Sequence, residues 1–205
     1  MQWITAAAWR RCCLLSGALR AFPEVRNGVA LKRKLSHASD VSVIKSVVCT
    51  NREKGLAFEE QVVTLMRSLN CELQATQQSR DGGIDHQGSW TLPDMEVDVV
   101  TQCKNESKPV GVQYVREFHG VLSFFPPTTV GLFASASGYS LYAQRFFLRM
   151  THPAILCSID TDSGRLTSFL LNDRAQTLLP KLTVGSLFMN QEHVLVLTYG
   201  DRILG

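Results

Sequence analysis

Between Gly55 and Leu69 the apolar residues Phe58, Val62, Leu65, Met66 and Leu69 recur at i, i+4, i+7, i+8 and i+11. That spacing paints one stripe on an amphipathic helix. The period then changes to two. Cys71 to Gln77 alternates and predicts a first strand, Ile84 to Trp90 a short second one, and Glu96 to Lys104 a third. In the third, alternation puts Val97, Val99, Thr101 and Cys103 on one face and Asp98, Val100, Gln102 and Lys104 on the other. Helical spacing returns over Gly111 to Phe125, with Val112, Val115, Phe118, Leu122 and Phe125 on one side and Pro126-Pro127 as the stop. The β-branched and small run Thr129 to Ala136 predicts a buried strand. Gly138 to Met150 predicts a helix burying Tyr139, Ala143, Phe146 and Met150, and Pro153 to Ile159 a further buried strand. Beyond Thr167 the pattern blurs until His193 to Tyr199, a strand ended by a turn at Gly200-Asp201. A hairpin-like start followed by strand, helix, strand, helix, strand implies an α/β fold with a mixed central sheet flanked by helices.

Length and composition add bounds. With 205 residues, 45% of them hydrophobic, the chain can bury a real core as one domain with extensions. No apolar run approaches the roughly 18 residues of a membrane span. The six cysteines form no CxxC pair and no zinc-like spacing, and Cys103 and Cys157 fall inside strands as small hydrophobes, so a reducing compartment is the simpler reading. The net charge of +3 is uneven: up to Asp40, seven basic residues face two acids, a balance of +5, leaving −2 for the remainder. Nucleic-acid binding by the folded part therefore requires a local basic patch or a bound cation.

The basic excess lies at the start. Residues 1–23 carry arginines, hydroxyls and alanines and no acid, the composition of a mitochondrial presequence. A secretory signal competes, through the short apolar run Cys12 to Leu19 after Arg10-Arg11, as does an unstructured tail. Residues 1–35 are read as the presequence and 36–50 as a linker.

The segment that invites chemistry runs from Asp81 to Lys104. A Gly-rich turn delivers Asp85, and a strand presents Gln102 and Lys104 on one face. A carboxylate with amide oxygens suits Mg²⁺, which takes oxygen ligands and keeps several waters. A lysine beside it steadies an attacked phosphate. Glu59, at the edge of the first helical stripe, would add a second carboxylate, whereas Glu60 faces solvent. Each has a bland alternative: Asp85 as a turn residue, Gln102 and Lys104 as the wet face of an edge strand, Glu59 as a surface charge.

Five pieces in order resemble the Mrr-type branch of the PD-(D/E)xK restriction-endonuclease-like superfamily. They are Gly55-Leu56-Ala57-Phe58-Glu59, Asp81-Gly82-Gly83-Ile84-Asp85, Gln102-Cys103-Lys104, Val115-Arg116-Glu117-Phe118-His119-Gly120, and Gly138-Tyr139-Ser140 with Ala143. With its presequence the chain also resembles the mitochondrial Mrr-like family described as required for respiratory growth. The resemblance implies a restriction-endonuclease-like core over residues 51–163, a catalytic set of Glu59, Asp85, Gln102 and Lys104, and Mg²⁺ or Mn²⁺ held by Asp85, Gln102 and Glu59. Gln102 stands where the superfamily more often has an acid, which removes one negative ligand and keeps a non-cleaving descendant in play. Residues 164–205 are expected to pack on the domain as an extension.

Lys108, Arg116 and the pair Arg145 and Arg149, four residues apart, are the candidates for holding a DNA backbone, with a solvated helix face as the alternative for the pair. His119 is expected to be a hydrogen-bonded core residue, and Ser135, Ser137 and the histidines form no hydrolase triad. Three functions follow: a mitochondrial Mg²⁺-dependent DNA nuclease, a non-catalytic DNA-binding or assembly factor on the same fold, and an RNA-directed nuclease.

Overall fold

A computed structural model describes residues 50–76, 83–189 and 192–205. The presequence, all but the last residue of the linker, and Asp81 and Gly82 of the turn motif lie outside the described residues. The first helix, α1 (Asn51–Ser68), starts at Thr50, whose hydroxyl accepts from the Glu53 N–H at 3.2 Å while the Glu53 carboxylate accepts from the Thr50 N–H at 2.7 Å. This reciprocal cap satisfies two backbone donors and contributes about 1 kcal/mol. The stripe Phe58, Val62 and Met66 is buried, and the Trp90 indole N–H donates to the Leu69 carbonyl at 2.8 Å, pinning the end of the helix to the sheet.

Six strands form that sheet in sequential order. They are β1 (Cys71–Ala75), β2 (His86–Leu92), β3 (Met95–Lys104), β4 (Val130–Ser135), β5 (Ala154–Ile159) and β6 (Leu166–Leu171). The pairs β1–β2, β2–β3 and β5–β6 are antiparallel, and β3–β4 and β4–β5 are parallel. The parallel pairs are crossed by α2 (Val112–Leu122) and α3 (Leu141–Phe147). Gly88 marks the tightest approach in the sheet: a Cβ there would lie 1.8 Å from the Glu72 carbonyl oxygen, so only glycine fits.

The two faces of the sheet bury separate cores. One gathers Phe58, Val62 and Met66 of α1 with Val97, Val99 and Cys157; the other gathers Val115, Phe118 and Phe147 with Val100, Phe133 and Leu156. After β6 come α4 (Asp173–Leu178) and a three-stranded antiparallel sheet of β7 (Leu182–Met189), β8 (Glu192–Tyr199) and β9 (Arg202–Ile203). Ala175, Leu182, Leu197, Tyr199 and Leu204 join the α1-side core. Asp94, in the β2–β3 turn, accepts from the Tyr199 hydroxyl at 2.5 Å and pairs with Lys181, tying the C-terminal sheet to the main one. No helix among the described residues is long and apolar enough to cross a membrane.

The helix expected over Gly138 to Met150 is shorter. Gly138 takes φ +76°, and the Ser140 hydroxyl caps the Ala143 N–H at 3.3 Å, so the helix cannot begin before Leu141. Tyr139 is buried from the preceding loop, its hydroxyl donating to the Phe133 and Cys157 carbonyls. Phe147 rather than Phe146 is the fully buried phenylalanine, and Arg149 sits in the turn after the helix, so Arg145 and Arg149 do not share one helical face.

Candidate active site

Asp85 occupies the last position before β2, delivered by Gly83 at φ +93°. Its backbone is clamped on both sides: the N–H donates to the Thr101 carbonyl at 2.8 Å, and its carbonyl accepts from the Thr76 N–H at 2.9 Å. Its carboxylate Oδ2 accepts from the Cys103 N–H at 2.6 Å. A side chain thus takes the place of a ladder bond, and the acid is fixed against the strand that carries the other candidates.

β3 divides its residues as alternation predicts. Val97, Val99 and Cys103 belong to the α1-side core and Val100 to the other, so Gln102 and Lys104 fall on the α2 side. Gln102 is only 6% exposed, and its Oε1 is buried with no hydrogen-bond partner. Its Nε2 lies 3.1 Å from where a Cβ on Gly83 would stand, so the glycine also makes room for the amide. The Lys104 ammonium lies 5.3 Å from the centroid of the Tyr114 ring on α2, a cation–π contact that orients it.

Glu59 comes from α1 and is half-buried, while Glu60 is exposed. Burial raises the Glu59 pKa, and the negative charge of Asp85 raises it further. The thiol of Cys103, between Gln102 and Lys104, senses the same group. Its pKa is pushed well up by burial, then by Asp85, Cys157 and Glu59, with Lys104 pulling the other way. The two acids and the lysine therefore share one electrostatic neighbourhood at the end of β3, although α1 and α2 approach the sheet from opposite faces.

The candidates for holding a DNA backbone come from other segments. Lys108 is exposed in the loop after β3. Arg116 on α2 stacks its guanidinium over the Phe146 ring at 5.4 Å, and Arg145 and Arg149 are exposed on the same layer. His86 is buried, with Nδ1 3.2 Å from the Thr101 hydroxyl, and burial lowers its pKa while Asp85 opposes. His119 is half-buried and bonded through Nε2 to the Thr151 hydroxyl at 3.1 Å. Tyr114 escaped sequence reasoning because it sits off the apolar stripe of its helix, and only the fold brings it under Lys104.

No group of three His, Cys, Asp or Glu side chains that could hold a metal occurs among the described residues. The set on offer is two carboxylates and an amide, and it suits a divalent cation in two respects. The orphaned Gln102 oxygen lacks the partner that a buried carbonyl requires. The repulsion between Glu59 and Asp85, which raises the Glu59 pKa, would be relieved by a bound cation.

A mixed sheet with an acid before its second strand and an amide and a lysine on its third defines a restriction-endonuclease-like domain. Residues 50–161, over half of the chain, match the Mrr_cat restriction endonuclease family, and the chain belongs to it. An uncharacterized mitochondrial protein of Schizosaccharomyces pombe is 26% identical over 193 residues, covering 91% of this chain and 78% of its own. Among solved structures, MspJI restriction endonuclease in complex with a 27-mer oligonucleotide aligns over 56% of this chain at 18% identity and a TM-score of 0.41. The DNA modification-dependent restriction endonuclease AspBHI aligns over 50% at 24% identity and a TM-score of 0.40. This chain spans 27% of the length of each of those enzymes.

Proposed function

We propose that this protein is a mitochondrial, divalent-metal-dependent nuclease that hydrolyses phosphodiester bonds in DNA. The observation that carries the reading is the buried, unpartnered Gln102 oxygen, two residues before an oriented lysine and one before the N–H that holds Asp85. Asp85, Glu59 and Gln102 would hold Mg²⁺ or Mn²⁺, which when bound supplies a low-pKa water and offsets charge on the attacked phosphate. Asp85 is kept from rotating by its bond to Cys103 N–H, so its geometry is set before substrate arrives. Lys104, positioned over Tyr114, donates to a non-bridging phosphate oxygen as charge develops there. Glu59, whose carboxyl burial and the charge of Asp85 disfavour as an anion, accepts a proton more readily than an ordinary glutamate. Residues 51–163 would carry the catalytic residues, and the expected extension, 164–205, supplies the sixth strand and part of the core they stand on.

Mitochondrial placement draws on the acid-free, arginine-bearing first 23 residues and on the description of the S. pombe relative as mitochondrial. A second reading, a DNA-binding or assembly factor that no longer cleaves, is favoured by the amide at Gln102 and by the −2 charge beyond Asp40. Incubating the purified full chain with plasmid, single-stranded DNA and RNA, in Mg²⁺ or Mn²⁺ against EDTA, separates these functions. Metal-dependent DNA cleavage that Asp85→Asn abolishes supports the nuclease. Cleavage of RNA alone reassigns the substrate, and binding without cleavage leaves the second reading.

A further inference from the structure

Beyond Lys104 the chain turns through Asn105–Lys108 and opens onto a cavity of about 820 Å³. It lies at the carboxyl ends of the parallel strands, between the start of α1 and the segment after β4, with Lys54 and Lys108 in its walls. Each lysine is anchored from another wall: the Asn105 amide donates to the Lys54 carbonyl at 2.9 Å, and the Ser137 hydroxyl donates to the Lys108 carbonyl at 2.6 Å. Both bonds join residues distant in sequence, so the two cationic stems rise from backbone held in place. The ion pairs among the described residues are Arg67–Glu72, Arg165–Glu192 and Lys181–Asp94, and neither lysine belongs to one. Against the two lysines the lining sets one acid, Glu106. Two cations in one cavity stand out in a fold whose overall balance is slightly negative.

We infer that this cavity binds the sugar–phosphate backbone of the strand beside the bond that is cut, with Lys54 and Lys108 as its phosphate contacts. The inference rests on the nuclease reading for what occupies the neighbouring site. The lining contains no aromatic ring, so nothing there stacks on a base. Its amides and hydroxyls hydrogen-bond phosphate and sugar oxygens, which carry no sequence information. The grip is therefore sequence-independent, and it begins one turn of chain away from the reacting lysine. Arg116, Arg145 and Arg149 are not in its lining.

The test is equilibrium binding of labelled duplex and single-stranded oligonucleotides to the full chain over a range of salt, in an Asp85→Asn background that prevents cleavage. Adding Lys54→Gln and Lys108→Gln should weaken binding of every sequence equally. It should also flatten the dependence of log K on log salt by about 1.8 for duplex or about 1.4 for single strands, two phosphate contacts' worth. Lys54→Arg with Lys108→Arg should restore the slope, and inorganic phosphate should compete less against the glutamine variant. An unchanged slope in a glutamine variant that melts like its parent overturns the site, as does a parent that binds neither oligonucleotide. Cleavage by wild type with an unchanged slope sinks the cavity and leaves the nuclease. A flattened slope without any cleavage keeps the cavity and removes the nuclease.

Discussion

Replacing Gln102 by Met separates a metal ligand from a mere packing residue. In the metal-free protein the Gln102 oxygen is buried without a partner, a condition that costs about 1–3 kcal/mol. Methionine is unbranched, similar in length and adaptable, and a swap of this kind loses under about 1.5 kcal/mol of packing. The balance favours the variant by about 1 kcal/mol in EDTA, a rise of about 2–4 °C in Tm for a fold of this size. With metal the gap narrows. A cation present at ten times its Kd stabilises the wild type by ~1.4 kcal/mol, and the variant, lacking the amide oxygen, gains less. Thermal melts of both proteins in EDTA and in rising Mg²⁺ read the two effects independently. A variant that is less stable in EDTA, and that responds to Mg²⁺ as strongly as wild type, would refute the assignment of this oxygen as a ligand.

Asp85→Asn should lose the Mg²⁺-induced Tm shift and nuclease rate together, whereas Lys104→Ala should lose about a hundredfold in rate, about 3 kcal/mol, and keep the shift; a Lys104→Ala protein with wild-type kcat would remove the lysine from the mechanism. Glu59 has a pKa raised above its ordinary 4.5, so the stability tied to its protonated form is present below that value and lost as pH rises through the raised one. Glu59→Gln should accordingly raise Tm at pH 7 without metal, with the gain fading below about pH 4.5; a gain that persists in acid would contradict the sign. Arg145→Ala with Arg149→Ala should weaken DNA binding and flatten its salt slope, and an unaltered slope marks these two exposed arginines as solvated surface. Residues 1–35 fused to a fluorescent reporter should direct it to mitochondria, an outcome that cytosolic or secretory fluorescence would reverse.

Much of this architecture can be read from periodicity because its cores are built on it. Phe58, Val62 and Met66 mark the buried side of α1, and the division of β3 between Val99 and Val100 separates the two cores. The failures have local causes. Gly138 and the Ser140 cap delay α3 past the point where apolar spacing begins, so Met150 is buried from the loop after the helix. The stretch after Thr167 resists pattern reading because α4 is one turn and a half, and β7 is apolar yet exposed over most of its length. In the candidate site, residue types and order were legible, but burial was not. A glutamine on a strand is ordinarily wet, and only in the fold, paired with Phe133 of β4 and with Gly83 beside its amide nitrogen, is this one buried. Lys54 and Asn105 carry no motif, and it is the meeting of α1 with the end of β3 that gives them a shared cavity.

The Asp94 tie has a consequence for anyone who shortens this protein. The family match stops at residue 161, an inviting place to cut. Cutting there removes β6, which shields β5 as its outer neighbour, together with Phe169, Leu182, Leu197, Tyr199 and Leu204 from the core beneath α1. It also strands Asp94 without the hydroxyl and ammonium that hold it. The fragment would expose the underside of the helix that carries Glu59, so a truncated chain without activity would report a collapsed scaffold and say nothing about its chemistry. The recognisable part of the protein ends before the sheet and the core it belongs to.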